Sequence, residues 1–208
     1  MRMLTCALAG SLLVLCASAT ASEMPAYPDL VAKAKTDGLS VNYTDLRMAY
    51  AASGTADLTG AIVDKEVEPM IESAEAGDCD KALVLSDKVL NAAFVNILAH
   101  MVRSECFDRK GELANSARED TIVSGLRDSI LGSGDGRTEK SAFVVVSLDE
   151  EQFVLSTLGL NQGSGTQAIV RDGGHSYDLI AAADEKGAKS TIFFQVDAIT
   201  AVEGKANR

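Results

Sequence analysis

The strongest constraint on the fold is a change in hydrophobic periodicity near residue 137. Before that point apolar residues recur at spacings of three and four, which is typical of amphipathic helices. After it, β-branched and aromatic residues alternate with polar ones and turn signals recur, which is typical of strands. We therefore expect an α+β fold, in which an N-terminal helical bundle precedes a small, mostly antiparallel β-meander with one short helix.

The first part of the chain predicts a series of helices with recognisable boundaries. Pro28 can begin the first helix, and Asn42 or Thr44 can cap the second. Pro69 lies inside the third helix and can kink or split it. The predicted helices cover residues 28–36, 44–53, 60–76, about 80–90, 94–107 and 112–131.

Two of these helices are expected to form an antiparallel hairpin, because the connection from Asn91 to Ala93 is short. The segment 77–83 resembles the opening of a tetratricopeptide-type (TPR-like) helix pair. No further period of about 34 residues follows, so we predict an isolated hairpin rather than a repeat array.

The hairpin brings two cysteines together. Cys79 begins its first helix and Cys106 lies at the end of its second, and an antiparallel arrangement places these ends side by side. A disulfide requires Cα atoms within about 7 Å, and this one would contribute roughly 3 kcal/mol by closing its loop. The alternative is a pair of buried free thiols.

The second part of the chain begins with an apolar run, Ala142 to Leu148, that predicts a buried strand. Asp149 and Gln152 then have the spacing of a capping box, and Asp172 followed by two glycines is a strong hairpin signal. The remaining predicted elements are a helix at 150–158, strands at 166–171, 175–182 and 190–197, and a tail that frays after 201.

Residues 1–21 have the three parts of a secretory signal peptide. Arg2 supplies the positive start, residues 4–16 are apolar, and small side chains precede a cleavage point between Ala21 and Ser22. We therefore expect an exported protein, either periplasmic or secreted.

A lipoprotein anchored through Cys16 is the alternative, although Leu15 stands where lipoprotein cleavage requires a small residue. The apolar run is shorter than the roughly 20 residues of a transmembrane helix, and no other stretch predicts one. We assign residues 22–136 to a helical region and 137–200 to a β-rich region packed on it. Together they form one compact domain, followed by the tail at 201–208.

The net charge disfavours two classes of partner. Loss of Arg2 with the leader takes the formal charge from −11 to −12. So acidic a chain repels nucleic acid and anionic lipid headgroups. We expect no nucleic-acid partner.

Few residues in the sequence match a known catalytic, metal-binding or phosphate-binding pattern. The histidines are His100, beside apolar neighbours on a predicted helix, and His175, directly after the hairpin turn. Neither has further ligands at a metal-binding spacing, so we predict no metal and no cofactor. The glycine-rich stretch 132–138 lacks the spacing and lysine of a phosphate loop, which leaves a helix stop or a ligand-facing loop.

Several segments resemble a bacterial family, domain of unknown function 4919. They are Tyr43–Tyr50, Ser133–Gly136 with Ala142–Val145, Asp149–Glu151 with Leu155 and Leu158–Leu160, Gly174–Asp178, and Phe193–Asp197. Gln152 and Phe153 depart from the pattern, in which an aromatic residue first follows the glutamate pair. The resemblance implies export and a helical-then-β plan. It implies no established reaction, so no catalytic residue is carried over.

Three functions follow as hypotheses, and the third is a structural accessory protein with no small ligand. The first is a non-catalytic protein that binds another envelope protein or a peptide, through the hairpin groove or through the loop 132–138 with the meander. Its candidate contact residues are Tyr50, Asp135, Gly136, His175, Tyr177 and Asp178. The second is a periplasmic hydrolase in which His175, Tyr177 and Asp178 act with Asp135 and Arg47. The sequence leaves open whether the protein is an enzyme.

Overall fold

The computed structural model describes residues 24–54, 56–58 and 63–206 and has the predicted α+β architecture. The helices are α1 (Tyr27–Thr36), α2 (Tyr43–Ala52), α3 (Asp64–Glu75), α4 (Cys79–Ala92), α5 (Ile97–Arg109), α6 (Leu113–Leu131), α7 (Leu148–Thr157) and α8 (Asp197–Ala206). The strands are β1 (Phe143–Val144), β2 (Leu160–Asp172), β3 (His175–Asp184) and β4 (Lys189–Gln195). The expected signal peptide, its cleavage point and Cys16 lie outside the described residues.

Side-chain caps explain where several helices begin. Asn42 accepts hydrogen bonds from the first-turn amides of α2 at 3.0 and 3.2 Å. Asp78 accepts from the amide of Lys81 at the start of α4, and Asn96 accepts from the amide of Ala99 at the start of α5. Each cap satisfies an amide that has no partner within its helix.

Helix α3 continues through Pro69 without splitting. The proline ring removes one amide donor, and the hydroxyl of Ser73 donates to the Pro69 carbonyl at 2.7 Å. The predicted start of this helix near Gly60 falls on residues outside the described ranges.

The predicted hairpin is formed by α4 and α5, and its disulfide is confirmed. Cys79 and Cys106 are bonded, with Cα atoms 5.2 Å apart. The bond closes a loop with a sequence separation of 27 residues.

The apolar run from Ala142 to Leu148 is a strand over only two residues, so the predicted length is wrong. Phe143 and Val144 form β1, which pairs in parallel with Phe194 and Gln195 of β4. The amide of Val145 still donates to the Gln195 carbonyl of β4 at 3.2 Å, and both Val145 and Val146 are buried in the protein interior.

The predicted capping box at the start of α7 is also absent. The helix begins at Leu148, with Ser147 at the N-cap position and no side-chain cap. The carboxylate of Asp149 instead accepts a hydrogen bond from the Asn96 amide at 2.8 Å, and Gln152 donates to Gln162 at 3.1 Å. Asp149 and Gln152 therefore contact residues outside α7 in place of the predicted capping contacts.

The β2–β3 hairpin turns at Gly173 and Gly174, whose φ angles are 56° and 89°. Two consecutive positive φ values are characteristic of a type I′ turn, which favours glycine. Asp172 therefore pairs directly with His175 across the hairpin. Strand β2 begins at Leu160, earlier than the predicted start at residue 166. Only two residues separate it from the end of α7.

The strand order is β1-β4-β3-β2, and β3 is antiparallel to both of its neighbours. Helix α8 follows β4 and continues to Ala206, so residues 201–206 are helical where we had expected fraying. The residues that open α8 are Asp197 and Ala198, and a carboxylate in the first helical turn favours the helix dipole.

Two clusters of buried apolar side chains form the interior. One lies among the first helices, and the other lies between the sheet, α7 and the end of α6. Phe153 packs against both clusters, so the β-rich region rests on the helices. Among the described residues, no helix combines the length and apolar character needed to cross a membrane.

Candidate functional site

A buried ion pair joins the helical region to the β-rich region. Arg47 of α2 is 0 % exposed and meets Glu150 of α7 at two points. Its Nε donates to Oε1 at 2.8 Å, and its Nη2 donates to Oε2 at 2.6 Å. Parallel bonds of this kind match the guanidinium fork to the carboxylate. Removing one partner would leave the other charge buried and uncompensated.

The remaining contacts of this pair leave little capacity for a ligand. Nη2 of Arg47 also donates to the Val144 carbonyl at 2.6 Å, and Nη1 donates to the Ser129 hydroxyl at 2.9 Å. Oε2 of Glu150 accepts a further bond from the Val146 amide at 2.9 Å. Arg47, a candidate for the hydrolytic site, is therefore committed to contacts within the protein.

The next residue, Glu151, has the opposite environment. It is 1 % exposed, and its Oε1 has no hydrogen-bond partner among the described residues. Burial, and then the charges of Asp178 and Glu150, raise the pKa of Glu151 to about 8. At neutral pH most of its carboxyl is therefore protonated.

Asp178 is the second carboxyl of this cluster. It lies on β3, is 1 % exposed, and accepts a hydrogen bond from Gln167 on its Oδ2. Its Oδ1 has no partner within the described residues. Burial raises the pKa of Asp178, and the bond from Gln167 offsets part of that rise. This candidate contact residue therefore lies inside the protein.

A second polar cluster lies at the surface, around His175. Its Nδ1 is 2.6 Å from Oδ2 of Asp197, the residue that begins α8. The amide of Ser176 donates to Oδ1 of the same carboxylate at 2.6 Å, and Gln195 donates to Oδ2 at 2.8 Å. Partial burial favours the neutral acid, but these hydrogen bonds hold the pKa of Asp197 below its usual range.

This His175–Asp197 pair borders an open cavity of about 630 Å³ beside the hairpin turn. The side chain of His175 is 50 % exposed, and Nε2 has no partner in the described part of the chain. Asp135, Tyr177 and Asp178 are not among the lining residues of this cavity. The carboxylate that faces His175 is therefore Asp197, which the hydrolase hypothesis did not include.

The glycine-rich loop is held against the sheet. Gly136 has a φ of 67°, and a Cβ there would lie 2.6 Å from the ring of Phe143 and 3.0 Å from Ile192. Its carbonyl accepts a hydrogen bond from the Phe193 amide at 2.9 Å. Asp135 is exposed and accepts from the amide of Arg137 at 3.0 Å. Gly136 thus has a packing role, whereas Asp135 faces solvent.

The two candidate tyrosines are buried. The Tyr50 hydroxyl accepts a hydrogen bond from the Asp57 amide at 2.9 Å, and its ring centroid lies 5.3 Å from that of Tyr27. Tyr177 lies beside His175, with ring centroids 6.3 Å apart. The candidates from sequence therefore divide between the interior and the surface rather than forming one site.

The family model for a domain of unknown function, DUF4919, matches residues 18–204. The protein belongs to the DUF4919 family. No curated protein and no solved structure matches the chain. The segments that carried the resemblance meet in the buried contacts, because they supply both partners of the Arg47–Glu150 pair and both Glu151 and Asp178.

In this DUF4919 protein the other histidine is part of the interior. His100 is 1 % exposed, with Nε2 2.8 Å from the Phe94 carbonyl and Nδ1 2.6 Å from the Glu119 carboxylate. Both ring nitrogens of His100 therefore have partners inside the protein, as expected of a core histidine. Within the described ranges, no three His, Cys, Asp or Glu side chains are placed to hold a metal ion.

A groove between α3, α5 and α6, the acidic groove, has a volume of about 660 Å³. Its apolar lining residues are Ile71, Leu98, Met101, Val102 and Val123, and its carboxylates are Glu105, Asp108 and Asp120. Met101 is 44 % exposed at the opening. The groove therefore offers an apolar floor with negative charge around it.

Sequence reasoning missed three residues of these clusters: Glu150, Glu151 and Asp197. Neighbouring residues on a helix point about 100° apart, so the two glutamates face different surroundings. Their contacts with distant residues left no local signal. The alternating pattern predicts Asp197 as the end of a strand, whereas it lies in the first turn of α8, where a carboxylate favours the helix dipole.

Proposed function

We propose that this protein is an exported, non-catalytic interaction protein whose acidic groove holds a basic amphipathic peptide segment of another envelope protein. The observation that carries the proposal is the combination of an apolar floor with three carboxylates in one groove. Apolar side chains of a bound segment would cover the floor, and its Lys or Arg side chains would face the carboxylates.

Asp108 is the clearest recognition residue in the groove. Its side chain is exposed and forms no ion pair with any described residue, whereas Glu105 is paired with Arg109 and Asp120 accepts a bond from Ser104. A cationic partner could therefore bind Asp108 without first displacing another charge.

The disulfide supports the export part of the proposal. Disulfides persist in oxidising compartments and are rare in the cytosol. A Cys79–Cys106 bond that links two helix ends is therefore better suited to a periplasmic or secreted protein.

Binding can be tested with a synthetic, fluorescently labelled helix of leucines and lysines about 14 residues long, roughly four turns. The matched control peptide has glutamate in place of lysine. We expect anisotropy to show saturable binding of the lysine peptide only, with Asp108→Lys weakening it about five- to tenfold. Met101→Ser should weaken binding by a similar factor, because it removes apolar contact area.

The control variant is Glu185→Lys, which makes the same charge change on the exposed β3–β4 turn, outside the groove. It should change the affinity less than twofold. Equal binding of both peptides, or equal effects of Asp108→Lys and Glu185→Lys, would refute the groove as the site. Export is checked separately by intact mass: the protein should begin at Ser22, and Met1 on a cytosolic protein with free thiols would contradict it.

A second candidate function is ester or amide hydrolysis, and the His175–Asp197 pair beside its cavity is the observation that favours it. Asp197 binds Nδ1, so Nε2 is the atom that can take a proton from water. The resulting hydroxide adds to the carbonyl carbon, the bond to the leaving group breaks, and the imidazolium returns the proton to that group.

The hydrolytic candidate can be tested with p-nitrophenyl acetate. Removing a general base typically costs 10²- to 10⁴-fold, so His175→Gln should lower the rate by about 100-fold or more. Asp197→Asn should lower it too. A wild-type rate no higher than that of His175→Gln would eliminate this candidate.

A further inference from the structure

A second cavity, the basic pocket, lies between α1, α4, α5 and α6 and has a volume of about 280 Å³. It occupies a different face of α5 and α6 from the acidic groove, since its α5 residues, His100 and Arg103, point away from Met101 and Val102 on the helix. Nothing in the function proposed above uses it.

The lining of the basic pocket has more cationic than anionic side chains, whereas the whole chain has an excess of acidic residues. Acidic residues outnumber basic ones by 30 to 19 in the sequence. The lining of this pocket nevertheless includes three cationic side chains, Lys35, Arg103 and Arg118, against two carboxylates, Asp87 and Glu119.

Both carboxylates are already occupied by Arg103. Its Nε donates to Glu119 at 2.9 Å, and its Nη1 donates to Asp87. Glu119 also accepts from His100. Burial of Glu119 opposes its ionisation, but the bonds from His100 and Arg103 hold the pKa of Glu119 below its usual range. The charges of the two carboxylates, Asp87 and Glu119, are therefore balanced within the protein.

The positive charges of Lys35 and Arg118 are not balanced in this way. The ammonium of Lys35 lies 5.4 Å from the centroid of the Phe94 ring, and Arg118 makes a long hydrogen bond of 3.4 Å to the Asn115 amide oxygen. Neither has a carboxylate within ion-pair distance among the described residues. Lys35 and Arg118 line the same cavity, so an anion from outside could contact both without displacing a carboxylate of the protein.

The other walls indicate what kind of anion fits. Phe94, Leu90 and Ile122 supply apolar surface, and Asn91 supplies an amide. The Phe94 ring is held by an edge contact with His100 at 4.9 Å between centroids, so this wall is fixed in place. The volume lies at the lower end for ligand pockets, which limits the occupant to a small molecule.

We propose that the basic pocket binds a small organic anion, in which Lys35 and Arg118 hold a carboxylate or phosphate group and Phe94 covers a short apolar body. Arg guanidinium groups match the planar oxygens of both anions, and Lys adds a mobile point charge. Arg103 lines the same pocket and is kept in place by Glu119 and Asp87.

The proposal can be tested by titration calorimetry at low ionic strength with four probes: hexanoate, hexyl phosphate, hexylamine and inorganic phosphate. We expect saturable binding of hexanoate or hexyl phosphate, no binding of hexylamine, and weaker binding of inorganic phosphate because it lacks the apolar body. Raising the salt concentration should weaken binding, because the contacts are partly exposed.

The test variant is Lys35→Gln with Arg118→Gln, and the control is Arg127→Gln, an exposed arginine elsewhere on α6. The double variant should weaken binding at least tenfold, and the control less than twofold. Both substituted side chains are exposed, so thermal unfolding should be unchanged and will confirm that the variants are folded.

Three results would overturn the proposal: equal binding of hexanoate and hexylamine, equal losses in the double variant and the control, or no binding of any anion at millimolar concentration. Amide chemical-shift changes on addition of hexanoate provide an independent check. They should centre on the residues around Phe94 and Ile122 in the wild-type protein.

Discussion

Glu150 and Glu151 are neighbours in sequence, equally buried, and chemically identical, yet their environments are opposite. Both oxygens of Glu150 are bonded to Arg47, and one also accepts an amide hydrogen. Glu151 has an unpartnered oxygen and faces Asp178, another carboxyl with an unpartnered oxygen. One glutamate is paired with a cation, and the other holds its proton at neutral pH.

The difference shows that burial alone does not determine the role of a carboxyl. A buried charge is tolerated when a partner of opposite charge satisfies its oxygens, and otherwise the group keeps its proton. Here the partner comes from α2, and a helical turn of about 100° per residue directs only one of the two side chains towards it. Four substitutions test this contrast between Glu150 and Glu151.

The largest loss of stability is expected from Arg47→Met. It would leave the carboxylate of Glu150 buried without its partner, and broken buried pairs of this type cost about 3–5 kcal/mol in the free energy of unfolding. Urea denaturation with the disulfide intact measures the loss. Arg127→Met is the control, since this arginine is exposed and its removal should cost less than about 0.5 kcal/mol.

If Arg47→Met does not fold, the double variant Arg47→Met with Glu150→Gln keeps the interpretation testable. Removing both charges also removes the uncompensated carboxylate, so the double variant should be more stable than Arg47→Met alone. A double variant that is less stable than the single one would contradict the assigned pairing.

The second-largest effect is a pH dependence of the stability that comes from Glu151. The pKa of Glu151 is about 8 in the folded protein and 4.5 as its ordinary value, so the folded state holds the proton more tightly. Its contribution to stability is complete below about pH 4.5 and is lost as the pH rises through 8. We expect wild-type stability to fall by roughly 2–4 kcal/mol from this group across that window.

Glu151→Gln should abolish this pH dependence, because glutamine remains neutral, and should make the protein more stable than wild type at pH 9. Glu150→Gln is the matched control one residue away. It leaves Arg47 buried without a carboxylate and should destabilise the protein at pH 7. Both profiles are obtained from urea denaturation between pH 4 and pH 9, and the same sign of effect for the two variants would contradict the contrast.

Features with local signals were predictable from sequence. Asn42 and Asp78 cap helices because their side chains reach amides within one turn, and Gly173 and Gly174 specify their turn through backbone conformation alone. The disulfide followed from one short connection between two helices.

Features that depend on distant contacts were not predictable. Arg47 and Glu150 are 103 residues apart, and nothing in either local pattern identifies the other. The expected capping box failed for the same reason, since Asn96 takes the carboxylate of Asp149. The hydrolase hypothesis likewise grouped His175 with Asp178. Residues three apart on a strand face opposite sides of the sheet, and the carboxylate that contacts His175 is that of Asp197, on the neighbouring helix.

A smaller effect is expected from Ser129→Ala. The hydroxyl accepts a bond from Arg47 and lies 2.9 Å from the hydroxyl of Thr44, so its removal leaves one guanidinium donor without a partner. We expect a loss of about 1–2 kcal/mol in the free energy of unfolding. Ser124→Ala makes the same change on the same helix, where the serine forms no side-chain hydrogen bond with a described residue, and should cost nothing or stabilise slightly.

The smallest effect is expected from Asp178→Asn, which should lower the pKa of Glu151 but leave it above the ordinary value of a glutamate. Burial is the largest cause of the raised pKa of Glu151 and survives the substitution, whereas the charge of Asp178 is removed. The carboxyl ¹³C shift of Glu151, followed by NMR between pH 5 and pH 10, measures the change directly. A pKa that returned to the ordinary value of a glutamate would show that repulsion by Asp178, rather than burial, keeps Glu151 protonated. An unchanged pKa would show that the two carboxyls do not interact, and the contrast with Glu150 would then rest on burial and the absence of a cation alone.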